Sequence, residues 1–387
     1  MLRTLAVINF CAFTASLSTR PVDPLIPPIA SDFMVSSSTA AMLATAFAAY
    51  GLVQPVLGPV ADTVGKARVM IVCLSVLTIS SLLTAVVSDF WSLFALRMLA
   101  GAACGGSFPV AMAIVADLVP INRRQIMIGR LLAATISGSL LGAALSGIVA
   151  DILHWRAVFA IIGVVTGCAV VLAIIGLRNL PPVPPQTLEV RAVIRRFGTI
   201  FRIPAARVCY IAVALEGVFL FGVFPYVAVL LAASGETRAT IAGLILAAFA
   251  GGGIVYSLAV PYLLNAIGQK WIMIGGGLIM AFGLAILALQ PAWQWQCLLF
   301  ALAGCGFYML HGSIQVYVTE LAPESRSSAV AFHTFSFFIG QGVGPVVIGA
   351  GLAHIGAPPT LIISAVMLAL IGLVSAHLLV RSQTSAP

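Results

Sequence analysis

Six ionisable side chains, Arg20, Asp23, Arg97, Glu216, His311 and His333, stand in stretches of the chain that are otherwise apolar. Burying such groups in hydrocarbon costs several kcal/mol, so each is a functional candidate by default. Arg20 and Asp23 are three residues apart and would share one helical face. A carboxylate that an arginine approaches and leaves changes its affinity for a proton, which makes Asp23 a proton site with Arg97 as its switch. A static Arg20–Asp23 pair holding a bent helix is the alternative, since Pro21, Pro24, Pro27 and Pro28 cannot continue a regular one. Glu216 has no partner in its own stretch; it can carry a proton or meet a cationic substrate, or else pair with basic residues nearby. An imidazole such as His311 suits proton exchange near neutral pH, or simple hydrogen-bonded packing; His333 reads as packing. Phe219, Phe221, Phe224, Tyr226, Phe307 and Tyr308 can line a cavity around these groups or fill a core.

The elements that must position them are membrane helices. The chain is 61% hydrophobic and 8% charged with a mean hydropathy of +1.14, where soluble domains are about 25% charged. Apolar stretches long enough to cross about 30 Å of hydrocarbon recur at 4–30, 38–61, 69–88, 92–116, 127–150, 157–177, 208–232, 239–263, 271–290, 296–319, 327–352 and 358–380. The expected fold is therefore an all-α integral membrane protein of twelve spans. Met-Leu-Arg and the apolar run after it resemble a secretory leader. The run continues through Pro21, Pro24 and Pro27 without a cleavage site, however, and is expected to be span one.

Of the 19 Lys and Arg, only Arg156 and Arg238 fall on the side opposite the termini, with Arg20 and Arg97 inside spans. The excess of cations on one side places both termini in the cytoplasm of an expected bacterial inner membrane. The net charge of +8 is then lipid-facing and gives no reason to expect nucleic acid. Trp91, Trp155, Trp293 and Trp295 fall at outer span ends, as an aromatic belt would. The seven cysteines lie in or at the edge of apolar spans, and no disulfide is expected.

The two halves repeat. Asp62-Thr-Val-Gly65 falls on Asn265-Ala-Ile-Gly268, Asp117-Leu-Val-Pro120 on Glu320-Leu-Ala-Pro323, Arg123 on Arg326 and Gly101 on Gly304, all at one offset of 203 residues. Two parallel copies are the usual construction of a carrier whose halves rock about a central site. The expected domains are a six-helix bundle over 1–177, a cytoplasmic linker over 178–207 and a second six-helix bundle over 208–387. The linker opens with five residues containing four prolines, Pro181 to Pro185. Leu188, Val190, Val193, Ile194, Phe197, Ile200 and Phe201 then recur at helical spacing opposite Arg191, Arg195 and Arg202. That pattern predicts a basic amphipathic helix lying on an anionic leaflet.

Several motifs resemble those of the major facilitator superfamily. Gly58-Pro-Val-Ala-Asp62-Thr-Val-Gly65-Lys66-Ala-Arg68 is similar to its signature G-x-L-A-D-R-x-G-R-K, and Arg97-Met-Leu-Ala-Gly101 to R-x-x-Q-G. Gly138-Ser-Leu-Leu-Gly142-Ala143-Ala-Leu-Ser146-Gly147 resembles the antiporter motif G-x-x-x-G-P-x-x-G-G, and Trp155-Arg156-Ala-Val-Phe159 the W-R-x-x-F that often follows it. Ala143 and Ser146 depart from the antiporter pattern and Ala100 from the glutamine of R-x-x-Q-G; Gly344-Pro345 stands in the second half. The resemblance implies the twelve-span drug:proton antiporter branch. It also implies that spans one, four, seven and ten line a cavity reached by Arg20, Asp23, Arg97, Glu216, Phe224, Tyr226, Tyr308 and His311. Asp62, with Gly58, Gly65, Lys66 and Arg68, would hold a cytoplasmic gate, Asp62 against a helix N-terminus. Gly138, Gly142 and Gly147 in span five and Gly340, Gly344 and Gly349 in span eleven would allow close sliding contacts between the halves.

No phosphate loop of the form G-x-x-x-x-G-K-S/T, no H-E-x-x-H and no Cys/His ligand cluster occurs in the sequence, so neither an enzyme nor a metal or cofactor site is expected. The favoured reading is proton-coupled export of small amphiphilic or drug-like compounds by alternating access, with the small molecule, protons and the lipid bilayer as partners and a monomer as the working form. The alternatives are an organic-anion carrier holding a carboxylate on Arg20 and Arg97, and a membrane receptor that transports nothing.

Overall fold

The computed structural model describes residues 2–178, 198–321 and 326–384. They are almost entirely helical and fall into two compact units, Met1–Leu188 with Arg238–Gly243, and Glu189–Thr237 with Leu244–Pro387. Nine of the described helices are long and apolar enough to cross a membrane. One of these, Ala239–Leu287, holds spans eight and nine, joined at Gly268. Spans one and two complete the expected twelve in shorter pieces, Leu2–Leu17 with Ile26–Asp32, and Ser37–Phe47 with Ala49–Val64.

The remaining spans are single helices except one. Span three is Lys66–Thr84, span four Phe90–Leu118, span five Ile121–Ile152 and span six Trp155–Gly176. Span seven runs as Pro204–Phe219, a 3-10 stretch Phe221–Tyr226 and Val227–Ala233. Spans ten, eleven and twelve are Trp293–Leu321, Arg326–His354 and Ala357–Thr384. Local chemistry sets several starts. The Asp89 side chain accepts the Ser92 N–H at 2.8 Å to cap span four, and Ser36 accepts the Thr39 N–H at 3.0 Å to cap span two. The predicted linker helix lies mostly outside the described residues, which resume at Gly198; of its positions, Ile200 is buried and Phe201 exposed.

The sequence repeat is a structural repeat. Gly65 and Gly268, related by the offset, both take positive φ (107° and 73°) and turn one span directly into the next. Spans one and seven break at matching points, after Leu17 and after Phe219, and each resumes through a 3-10 turn. Gly101 lets span four lie on the Phe47 carbonyl of span two, and Gly304 lets span ten lie on the Phe249 carbonyl of span eight. A Cβ at either glycine would strike that carbonyl.

Trp155 departs from the expected belt. Trp91 and Trp295 are exposed, but Trp155 is 1% accessible. It donates its indole N–H to Asp32 at 3.0 Å and packs against Phe33 and Phe159. Arg156 pairs with the same Asp32 carboxylate and donates to the Val87 carbonyl at 3.1 Å. The Trp-Arg pair thus ties the end of span one to spans three and six, a structural role for a tryptophan read from sequence as interfacial. Partial burial works against it, but the Arg156 and Trp155 hydrogen bonds hold the Asp32 carboxyl below the usual carboxylate range.

Candidate functional site

In the first unit the break in span one creates the site. Without a helical partner the Ser18 carbonyl is free to accept Arg97 Nη2 at 3.3 Å. Arg97 is buried, and its guanidinium lies 4.5 Å from the Phe47 ring centroid and 5.5 Å from that of Phe159. Its Nε has no hydrogen-bond partner. Asp23 opens the 3-10 turn, is 2% accessible and accepts Arg20 Nη1 at 3.4 Å. Arg97 acts on Asp23 through space and, among the described residues, the two form no ion pair within 4 Å. The arrangement is one carboxylate under two guanidiniums, and the Arg20–Asp23 pair is already formed.

The second unit holds a different centre. Glu216, 0% accessible, lies one turn before span seven breaks. Its Oε2 is 2.8 Å from His311 Nδ1 on span ten, and its Oε1 has no hydrogen-bond partner. Which of the two atoms holds the proton is set by the tautomer. The His311 ring stacks on Phe307 at 4.7 Å and lies 4.8 Å from the ring of His333 on span eleven, whose buried Nε2 also lacks a partner. Phe221, Phe249, Phe307 and Phe337 close around the group through ring contacts of 5.1 to 5.8 Å. The sequence pointed to Glu216 and His311 separately and assigned His333 to packing. Residues 95 apart on different helices share no spacing that would join them.

The other expected positions are placed as follows. Phe224 packs on Phe249 and Phe300. Tyr226 donates its hydroxyl to the Pro345 carbonyl at 2.7 Å, tying span seven to span eleven. Tyr308 packs in a small core with Tyr256, Ile272 and Met309. These three serve packing first. In the gate motif, Gly58 lies within Ala49–Val64 and the Asp62 side chain lies outside those described. Gly65 makes the turn, Lys66 pairs with Asp117 at 2.6 Å and Arg68 is exposed.

The glycines expected between the halves work largely inside each unit. A Cβ at Gly138 or Gly142 would strike span one at the carbonyls of Phe13 and Leu17. One at Gly340 would strike the Ala214 carbonyl of span seven, and one at Gly344 would lie 2.8 Å from the Gly222 Cα. The broken helices are narrow there, and only glycine lets a neighbour follow their backbone. Gly147 faces the Ala239 carbonyl in the short segment counted with the first unit; Gly349 lies in span eleven. Beside Gly147, Asp151 accepts the Ala239 and Thr240 N–H groups at 2.9 and 2.8 Å, an N-terminal cap that sequence reasoning missed.

The comparisons with known proteins agree with this architecture. The family model of the Major Facilitator Superfamily matches residues 8–237 and 230–387. A protein of Helicobacter pylori named "Probable sugar efflux transporter" is 25% identical over 357 residues, covering 90% of each chain. The quinolone resistance protein NorA of Staphylococcus aureus is 24% identical over 367 residues, covering 92% of each. Among solved structures, a POT family transporter in complex with 5-aminolevulinic acid superposes with a TM-score of 0.80 at 13% identity, covering 99% and 97% of the two chains. A bacterial homologue of the human lysosomal transporter Spinster gives 0.73 at 16% identity, covering 97% and 96%.

A family match along nearly the whole length, two repeated helical units and buried charge at the breaks of spans one and seven lead to one assignment: this chain belongs to the Major Facilitator Superfamily and is an integral membrane transporter, not an enzyme.

Proposed function

We propose that the protein exports small amphiphilic compounds in exchange for protons, with Glu216 as the group that carries the proton. The observation that carries this reading is the buried Glu216–His311 contact at 2.8 Å, which leaves Glu216 Oε1 and His333 Nε2 without partners. A carboxyl and an imidazole in contact can hold different numbers of protons without a change of backbone. One unit of charge then decides which arrangement of the helices is cheaper. Asp23, already paired with Arg20, and Arg97 form a polar contact for substrate that competes with the proton through the conformational equilibrium. Export as the direction is supported by the relative named a probable sugar efflux transporter; both termini are proposed to face the cytoplasm of the inner membrane, with a monomer as the working unit.

A second reading concerns the cargo. The relative named a probable sugar efflux transporter makes a hydroxyl-rich substrate a competitor to a drug-like one, and Arg20, Asp23 and Arg97 offer donors and an acceptor to it. Proteoliposomes with an imposed pH gradient, assayed with lipophilic cations, neutral drugs, sugars and small carboxylates, separate the readings. Gradient-driven flux of amphiphiles that vanishes in Glu216→Gln is the expected result. Undiminished gradient-driven flux in that variant sinks the proton assignment, and transport of carboxylates alone would restore the organic-anion reading.

A further inference from the structure

Spans nine and twelve meet and then part. They touch at Gly277 and Gly372, where a Cβ on either residue would lie 2.9 Å from the other's Cα. Toward the start of span nine and the end of span twelve they diverge, leaving a groove of about 570 Å³. Its inner walls are Ile274, Val374 and Leu378; its rim carries Lys270, Trp271 and His377. Lys270 follows the Gly268 turn by two residues, so the rim lies at the water-facing end of span nine. Val374 and Leu378 are exposed and Ile274 is half-buried, all on membrane spans, so the walls face acyl chains.

Among the described residues Lys270 forms no ion pair with a carboxylate within 4 Å. Residues 265–290 of the turn and span nine, and 357–384 of span twelve, contain no Asp or Glu. The Lys270 ammonium lies 5.8 Å from the Trp271 ring centroid, far enough for only a weak attraction. An apolar cleft opening on lipid, closed below by the glycine contact and topped by a lysine, an indole and an imidazole, matches the parts of one kind of molecule. A phosphate diester sits between the lysine and the imidazole, its glycerol beside the indole, and an acyl chain in the cleft.

We propose that this groove is a binding site for a phospholipid with an anionic headgroup, of the phosphatidylglycerol class. The site is independent of the transported substrate and of the proton pathway. Native mass spectrometry of the detergent-solubilised protein with equimolar phosphatidylglycerol and phosphatidylcholine tests it. The intact chain retains phosphatidylglycerol about five- to tenfold in excess, the size of one cation's attraction to an anionic headgroup. Lys270→Gln combined with His377→Gln brings the ratio near one, and millimolar inorganic phosphate does not displace the lipid. Equal retention of the two lipids by the intact chain, an unchanged ratio in the double variant, or displacement by phosphate overturns the proposal. A second measurement does not depend on the folding of that variant. In vesicles of phosphatidylcholine with a tenth of phosphatidylglycerol, bromine on the acyl chains of one lipid or the other quenches tryptophan fluorescence. The part of the quenching that Trp271→Phe removes is larger, per lipid present, with brominated phosphatidylglycerol; equal values overturn the assignment.

Discussion

The two units use the same scaffold and place opposite chemistry on it. The repeat offset carries Arg97 onto Phe300 and Asp23 onto Tyr226; in reverse it carries Glu216 onto Phe13 and His311 onto Phe108. These four polar residues thus correspond to aromatic residues in the other half, while Arg20 falls on Val223 and His333 on Arg130. The centres also occupy different levels of equivalent helices. His311 corresponds to a position eleven residues beyond Arg97 along span four, or about 16 Å at 1.5 Å per residue. Packing was duplicated and kept, as Gly65 with Gly268 and Gly101 with Gly304 show. Charge was not. A symmetric frame can rock, but a centre present in one half alone gives the two end states different energies for one proton or one substrate.

The comparison breaks first at the carboxylates. Glu216→Gln is expected to reduce gradient-driven flux to background while leaving substrate-induced thermal stabilisation in place; Arg97→Lys is expected to remove that stabilisation, and flux with it, since a lysine cannot keep both the Ser18 hydrogen bond and the Phe47 face. Loss of the stabilisation in both variants would merge the two centres into one. Next come the shared glycines. Gly101→Ala and Gly304→Ala each force a Cβ onto a backbone carbonyl and are expected to cost about 1–3 kcal/mol. Thermal unfolding should show similar falls in Tm, and a large inequality would mean that the halves are not equivalent in packing.

A finer test is His333→Phe, which keeps the ring against His311 and removes its nitrogens. A shift in the pH profile of transport with little change in Tm is expected, whereas a loss of Tm alone makes His333 a packing residue. The smallest effect belongs to Asp32→Asn, a part-exposed clamp worth under about 1 kcal/mol. Because Asp32 is held below the usual carboxylate range, its contribution is complete above about pH 4 and fades as pH falls through its own lower value. The Tm difference between the variant and the parent should therefore be larger at pH 7 than at pH 3.

What the sequence made legible follows from what a one-dimensional pattern can hold. Span positions were readable because hydrocarbon demands about 20 apolar residues in a row. The repeat was readable because turns such as Gly65 and Gly268 need glycine at fixed places. Glu216, His311 and Arg97 were flagged by polarity in an apolar context. Their partners were not, because the meeting of spans seven, ten and eleven depends on helix packing that leaves no periodic trace. Trp155 shows the same limit: its place near a span end suggested an interfacial ring, and only the fold shows Asp32 beside it. Gly138 and Gly340 were read as close-approach residues between the halves, and the backbones nearest them are those of Phe13 and Ala214, since a glycine says that a backbone comes near without saying which.

The break in span one has a consequence for how the chain enters the bilayer. Its first piece, Leu2–Leu17, has 16 residues, about 24 Å of helix against about 30 Å of hydrocarbon. Alone it is too short, and the irregular segment after it presents unpaired backbone groups that lipid cannot satisfy. During synthesis this segment emerges before its stabilising neighbours: span four brings Arg97 to the Ser18 carbonyl, and span five brings Gly138 and Gly142 against Phe13 and Leu17. This segment therefore gains the neighbours that satisfy and cover its backbone only after more than a hundred further residues have been made.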